Sequence, residues 1–387
     1  MKKTEKNIYL QKQILTYMGN KRKLINNIND IISLIENDFG EKLTTMGEGF
    51  SGTGVVSRLL KTRCKKLYVN DIAGYSRTLN ECYLTNLSSL TDSDKNKIKH
   101  HIDVCNQFML GYNFANFEPM SCDFFISKYW AANDDKNIKE GERVFFTKNN
   151  ACRIDRAMTY INNFVEDKYR SFLLAPLLVE SSIHNNTNGQ FSAFFKDKNK
   201  KIGMFGGKNN IDIKRITGEI KIQEPLLLDT GAEPIITQLD TNEWIKNIEP
   251  VDLIYYDPPY NKHPYNIYYF LLDIINNWDT SIDIPDTNRG QPKNWIKSPW
   301  CSFSKAKNSF IKLIEHTKIK TKFLLLSYNN TGIIPIKDLE DILIKHGIVY
   351  KIPIEHKTYN KLKGIASYKR KKSFQEVKEF IWLVDFR

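Results

Sequence analysis

Toward both ends of the chain, short apolar runs bounded by turn residues alternate with longer stretches of helical spacing. Residues 43 to 100 hold an apolar stretch leading into EGFSGTGVV (48–56), a helix pattern VVSRLLK, a short strand KKLYVND and a second helix from Gly74 to about Asn86. That is a βαβα unit. The order resumes with VDLIYYDPP as a buried strand, YYFLLDIINNW and SFSKAKNSFIKLIEHT as helices, KFLLLSYN as a strand and a helix over 336–346. Two last apolar runs, IVYKIPIEH and EVKEFIWLVDF, flank a basic, glycine-containing loop and predict an antiparallel hairpin at the sheet edge. The fold class expected is therefore α/β, with a mainly parallel sheet covered by helices on both faces.

Between about residue 101 and residue 230 the alternation fades into aromatic and polar segments such as FMLGYNFANF, CDFFISKYW and GERVFFTKNN. This reads as an insert (101–230) that splits one α/β domain into 1–100 and 231–387. No internal repeat interrupts either part.

Charge narrows the partners. Lys and Arg outnumber Asp and Glu by 57 to 44, a net +13, and such a field attracts polyanions, nucleic acid first. A Lys-, Asn- and Ile-rich sequence also follows from A+T-rich coding, so charge alone leaves the matter open. Two local excesses stand out. Residues 196–222 carry eight basic against three acidic groups, and residues 361–378 carry seven against one. Within the second, Lys369, Arg370, Lys371 and Lys372 are candidates for phosphate contacts, the alternative being a solvated turn.

The six cysteines form no CxxC pair and no metal-ligand spacing with the seven histidines, which predicts reduced thiols, a cytoplasmic setting and no metal site. Gln11, Lys12 and Gln13 interrupt any apolar leader, and no later apolar run approaches ~18 residues. Neither an export signal nor a membrane span is expected.

Two constellations carry chemistry. Glu48, Gly52 and Gly54 fall where the first strand ends and the first helix begins, the edge at which open α/β sheets bind ligands. A glycine turn alone could be a packing corner. Asp71, closing the second strand, adds a carboxylate placed for ribose hydroxyls, a role compatible with capping the next helix. No GKT or GKS follows the glycines, so no triphosphate is implied. The other constellation is Asp257-Pro258-Pro259-Tyr260. Two proline rings fix the backbone there, so that the Asp257 carboxylate and the Pro258 carbonyl can both face outward as acceptors, an arrangement that fits an amino group. An ordinary strand-ending turn is the plainer alternative.

Taken together these residues resemble the Dam-like class of adenine-N6 DNA methyltransferases in the α-type motif order, where the target-recognition region precedes DPPY. TYMGNKRKL (16–24) resembles the N-terminal aromatic-x-Gly-x-Lys element through Tyr17, Gly19 and Lys21. EGFSGTG resembles the cofactor loop, bringing in Phe50, and VND the ribose-binding strand end. The resemblance implies a mixed seven-stranded methyltransferase sheet, S-adenosylmethionine as cofactor, Lys21 near its methionine carboxylate, and Asp240 against its adenine. It also implies an insert that recognises the target, with Lys196, in NNTNGQFSAFFK, near double-stranded DNA. Asp rather than Ser or Asn at the head of DPPY favours adenine over cytosine N4 or a glutamine amide. Tyr260 becomes the surface on which a flipped base stacks. A restriction-modification system with a cognate endonuclease, or an orphan methylase acting at the nucleoid, is the implied setting. RNA adenine methylation and a non-catalytic cofactor-binding protein are the rival readings.

Overall fold

The computed structural model describes residues 3–38, 40–111, 122–197, 202–260, 264–293, 295, 298–354 and 378–387. Seven strands form one sheet: β1 (Thr45–Glu48), β2 (Lys66–Asn70), β3 (Glu233–Thr237), β4 (Val251–Tyr256), β5 (Thr321–Asn329), β6 (Ile348–Ile354) and β7 (Glu379–Asp385). Their order is β3-β2-β1-β4-β5-β7-β6, with β7 antiparallel to both neighbours and every other pairing parallel. This is the mixed methyltransferase sheet expected, and the closing hairpin occupies the edge as the two apolar runs indicated.

Strand order reverses direction between β1 and β4, where Glu48 pairs in register with Tyr255. At such a reversal the helices leave on opposite faces and open a crevice above the strand ends. On one face, the helices Ile25–Asp38 and Val55–Lys61 pack Ile28, Ile32, Leu59 and Leu60 onto Met46, Leu67 and Leu325. On the other, Trp244, Phe310, Leu313 and Leu339 cover Ile254, Tyr256, Leu324 and Trp382. The parallel strands β4 and β5 are buried along nearly their whole length, which is why they read as continuous apolar runs.

Several elements had gone unread. Strand β3 contains Pro234 and stands at the sheet edge, where the missing N–H is tolerated, and the helix Thr241–Asn247 that follows begins at Asp240. Among the described residues, the insert holds helices and no named strand. Asp92–Phe108, Lys148–Phe164 and Asp167–Ile183 are its long helices, and the expected boundary at 100/101 falls inside the first of them. Thr91 and Asp94 close a capping box, and the Thr147 hydroxyl accepts from Asn150 N. Leu79 and Tyr83 of the Gly74–Tyr83 helix and Phe270, Leu271, Leu272, Ile274 and Ile275 of the Tyr265–Asn277 helix share one apolar cluster with the insert. Insert and catalytic elements therefore pack as a continuous core.

The thiol expectation needs correction: Cys122 and Cys152 are joined in a disulfide across 30 residues. No sequence spacing announces the pair, because tertiary packing brings the first turns of the Lys148–Phe164 helix against the segment before Ile126. Cys64, Cys82, Cys105 and Cys301 are free. Among the described residues no helix is long and apolar enough to cross a membrane, and no group of three acidic, histidine or cysteine side chains could hold a metal ion. Lys369, Arg370, Lys371 and Lys372 lie outside the described residues.

Candidate active site

A cavity of about 730 Å³ opens above the carboxyl ends of β1 and β4. Its floor is the glycine turn. Gly54 has φ +71° and caps the Val55–Lys61 helix, and a Cβ there would stand 2.4 Å from Asn80 Oδ1; only glycine fits both the left-handed backbone and the space. Asp71 ties this turn to β2. Its carboxylate accepts from Gly52 N at 2.7 Å and Ala73 N at 2.9 Å, while burial pushes its pKa up. Glu48 is buried and accepts from the Ser57 hydroxyl, and burial holds it well above the carboxylate range. Asp240 accepts from Asn242 N at 2.9 Å as the cap of its helix, and Phe50 meets Trp300 edge-on with centroids 5.1 Å apart.

The N-terminal segment forms a second wall. Tyr17 stacks on Tyr269 and Tyr265, with centroids 4.6 and 5.1 Å away, and its hydroxyl lies 3.0 Å from that of Tyr75. Met18 N donates to Tyr269 Oη at 2.8 Å, and Arg58 bonds to the carbonyls of Tyr9 and Lys12. These contacts fix where Lys21 emerges. Gly19, at φ +75°, lets the chain turn beneath Tyr260, whose hydroxyl would lie 2.6 Å from a Cβ at that position.

Lys21 is 4% exposed, and its Nζ is 2.9 Å from Asp257 Oδ1, 2.9 Å from Glu379 Oε1 and 3.1 Å from the Gly19 carbonyl. Burial alone would lower its pKa, but Asp257, Tyr260 and Glu379 outweigh it and hold the ammonium well above the usual lysine value. Asp257 is pushed up to about 6, burial first, with Lys21 opposing and Glu379 reinforcing. Its Oδ1 is buried against that ammonium. Pro258 is buried beside it. Tyr260 meets Tyr328 edge-on at 5.9 Å and offers its face to Lys21 Nζ at 5.5 Å.

The structure thus brings Tyr17, Gly19, Lys21, Glu48, Phe50, Gly52, Asp71, Asp240, Asp257 and Pro259 to one cavity wall. Gly54, Pro258 and Tyr260 lie just behind it. Lys196 is exposed elsewhere, its Nζ 4.8 Å from the Phe194 ring centroid. Asn150 and Arg153 are buried staples of the insert: Asn150 bonds the Gly218 carbonyl at 2.8 Å, and Arg153 bonds the Ile220 carbonyl and pairs with Glu219.

Sequence reasoning missed Asp273, Glu379 and the outer wall. Asp273 lines the cavity and is pushed up to about 7 by burial and by Asp71; a lone acid within FLLDII was the available signal. The outer wall, built from described residues of 279–293 and 298–301 with Trp295, is held by the insert. Arg143 bonds the carbonyls of Pro285 and Thr287, each at 2.9 Å, and Trp130 Nε1 bonds that of Arg289 at 2.9 Å.

Residues 17–342 match the D12 class N6 adenine-specific DNA methyltransferase family. The chain belongs to that family. Among curated relatives, the type II methyltransferase M.NlaIII of Neisseria lactamica is 26% identical over 379 residues, spanning 96% of this chain and 99% of its own. The type II methyltransferase M.FokI of Planomicrobium okeanokoites is 26% identical over 392 residues, 96% of this chain but 52% of the relative. M.CviAII of Paramecium bursaria Chlorella virus 1 is 23% identical over 347 residues, covering 89% and 92%. The alignment with M.NlaIII runs through the insert as well as both halves of the catalytic domain.

Proposed function

We propose that this D12 enzyme methylates the N6 amino group of an adenine flipped out of double-stranded DNA, with S-adenosylmethionine as methyl donor. The single observation that carries the reading is the Asp257 carboxylate, held by Lys21 at 2.9 Å and lining the glycine-floored cavity. The cavity residues fit the cofactor. The backbone turn at Gly52 and Gly54 admits close approach, Asp71 and Asp273 offer acceptors for hydroxyl or ammonium groups, and Phe50 and Trp300 supply apolar surface for a base.

Bound S-adenosylmethionine supplies an electrophilic methyl group. The chain's own residues do the rest. Asp257 and the Pro258 carbonyl accept the two amino hydrogens and favour a more pyramidal nitrogen, whose lone pair is otherwise delocalised into the ring. Tyr260, directly after the prolines, is proposed to stack on the extruded base. Lys21 fixes Asp257 through the ion pair at 2.9 Å, and the tyrosine wall around Tyr17 excludes water. Residues 101–230, Lys196 and the 369–372 cluster are proposed to engage DNA, the insert reading the target and the cluster neutralising phosphates. Relatives named as type II methyltransferases and modification methylases support a restriction-modification setting, with a cognate endonuclease as partner and the cytoplasm, at the nucleoid, as location.

Expression in a methylation-free bacterial host followed by long-read sequencing tests this directly. A recurrent modified adenine in one sequence context is expected; modified cytosine, or an unmodified genome with soluble protein present, overturns it.

The cofactor half has its own test. Asp71→Ala removes a carboxylate acceptor worth roughly 1.5 to 3 kcal/mol, so affinity for S-adenosylmethionine should fall by about tenfold or more. Calorimetry showing unchanged affinity would place the ribose elsewhere.

A further inference from the structure

We infer that Glu379 is a positioning residue for methyl transfer: held against Lys21 from β7, it stops that ammonium from neutralising Asp257 and leaves one net negative charge beside the adenine amino group. The inference rests on the proposed function and concerns a residue outside every motif of the sequence. Lys21 Nζ stands 2.9 Å from each carboxylate, so two acids share one cation. With both ionised, the trio sums to −1; without Glu379 the Lys21–Asp257 pair is neutral.

The remaining groups facing Asp257 leave this balance intact. Glu48, on β1, is held well above the carboxylate range by burial. Tyr255, Tyr260 and Tyr265 are each raised by burial and stay neutral near physiological pH. Methylation makes the amino nitrogen transiently cationic, because its lone pair forms the new N–C bond before a proton leaves to water, while the C–S electrons stay on sulfur. A buried net negative charge stabilises that cation. Glu379 reaches the site because β7 runs antiparallel to β5, its first residue pairing with Asn329 at the carboxyl end of β5. An acid at the start of β7 therefore lies above the same sheet edge as Asp257.

The test uses the full-length, cofactor-free protein labelled with ¹³C-carboxyl aspartate, the Asp257 signal being assigned by its loss in Asp257→Ala. The wild-type carboxyl should titrate near pH 6. In Glu379→Gln, where Lys21 is left to Asp257 alone, the midpoint should move to lower pH; an unmoved or higher midpoint overturns the role. Single-turnover transfer at pH 8 should fall roughly tenfold in Glu379→Gln, the equivalent of about one pH unit in the basicity of Asp257. Glu379→Asp, which keeps the charge, should restore most of it, whereas equal rates in the two variants would contradict the charge effect. If Glu379→Gln does not fold, Glu379→Ala, which removes the same charge, carries the test: the Asp257 midpoint should again move to lower pH, and an unmoved midpoint overturns the inference. Absence of methyl transfer by the wild type would defeat the proposed function, whereas wild-type transfer with an unmoved Asp257 midpoint defeats only the role of Glu379.

Discussion

Asp257→Ala lowers the single-turnover rate of methyl transfer by at least ~100-fold, the effect of losing one preorganised electrostatic partner of a reacting group. Folding and binding should survive. Truncation leaves Lys21 still paired with Glu379 and the Gly19 carbonyl, so no buried charge is orphaned, and the residue borders a cavity, so no core void opens. Affinity for S-adenosylmethionine depends on the glycine turn and Asp71, and affinity for duplex DNA chiefly on phosphate contacts. Transfer of a tritiated methyl group in a single turnover, beside binding titrations, separates chemistry from product release. Near-normal transfer by the variant would defeat the mechanism. In the wild type the same rate should fall below about pH 6, where Asp257 takes up a proton and its carboxyl ceases to accept from both sides.

The opposite pattern is expected of Lys21→Met, which should cost about 3 to 5 kcal/mol of stability, the size found when one partner of a buried ion pair is removed. Here two buried carboxylates, Asp257 and Glu379, lose their shared cation. Asp257, already raised by burial, then loses the ammonium that opposes that rise, so the folded protein binds more protons than the unfolded chain and stability falls as pH rises. The deficit should be smallest in mild acid and largest above neutrality. Urea midpoints for wild type and variant across that range, at an unchanged m-value, measure it. A deficit independent of pH, or none, would show that Lys21 is not the counterion of the pair.

Motifs that act through local backbone were legible. Gly52, Gly54, Asp71 and the Asp257–Tyr260 turn work through conformations that glycine and proline declare in sequence, and each lies at the strand end anticipated for it. The central buried strands were equally plain, because a strand covered on both faces must be apolar throughout. Long-range structure left no such trace. Glu379 meets Lys21 only because β7 threads between β5 and β6, and nothing in EVKEFIWLVDF marks its second acid as part of a site. Strand β3 was hidden by Pro234, and the Cys122–Cys152 bridge by a spacing that matches no motif. In the insert, Asn150 and Arg153 had the composition of base readers, yet each is consumed by backbone carbonyls of 216–220. The helix carrying them was missed because its apolar positions are interleaved with Asn, Asp and Arg that tertiary contacts satisfy. Asp273, by contrast, was within reach, since an acid inside an otherwise apolar helix requires either a partner or a cavity.

The central claim is that Asp257 directs a methyl group to the N6 amino group of adenine in duplex DNA. Its most direct test is to incubate the protein with S-adenosylmethionine tritiated in the methyl group and genomic DNA from a methylation-free host, then digest to nucleosides and separate them. Label confined to N6-methyldeoxyadenosine, and absent with Asp257→Ala, is the predicted result. Label in a methylated cytosine, or transfer to RNA but not to duplex DNA, would contradict the account.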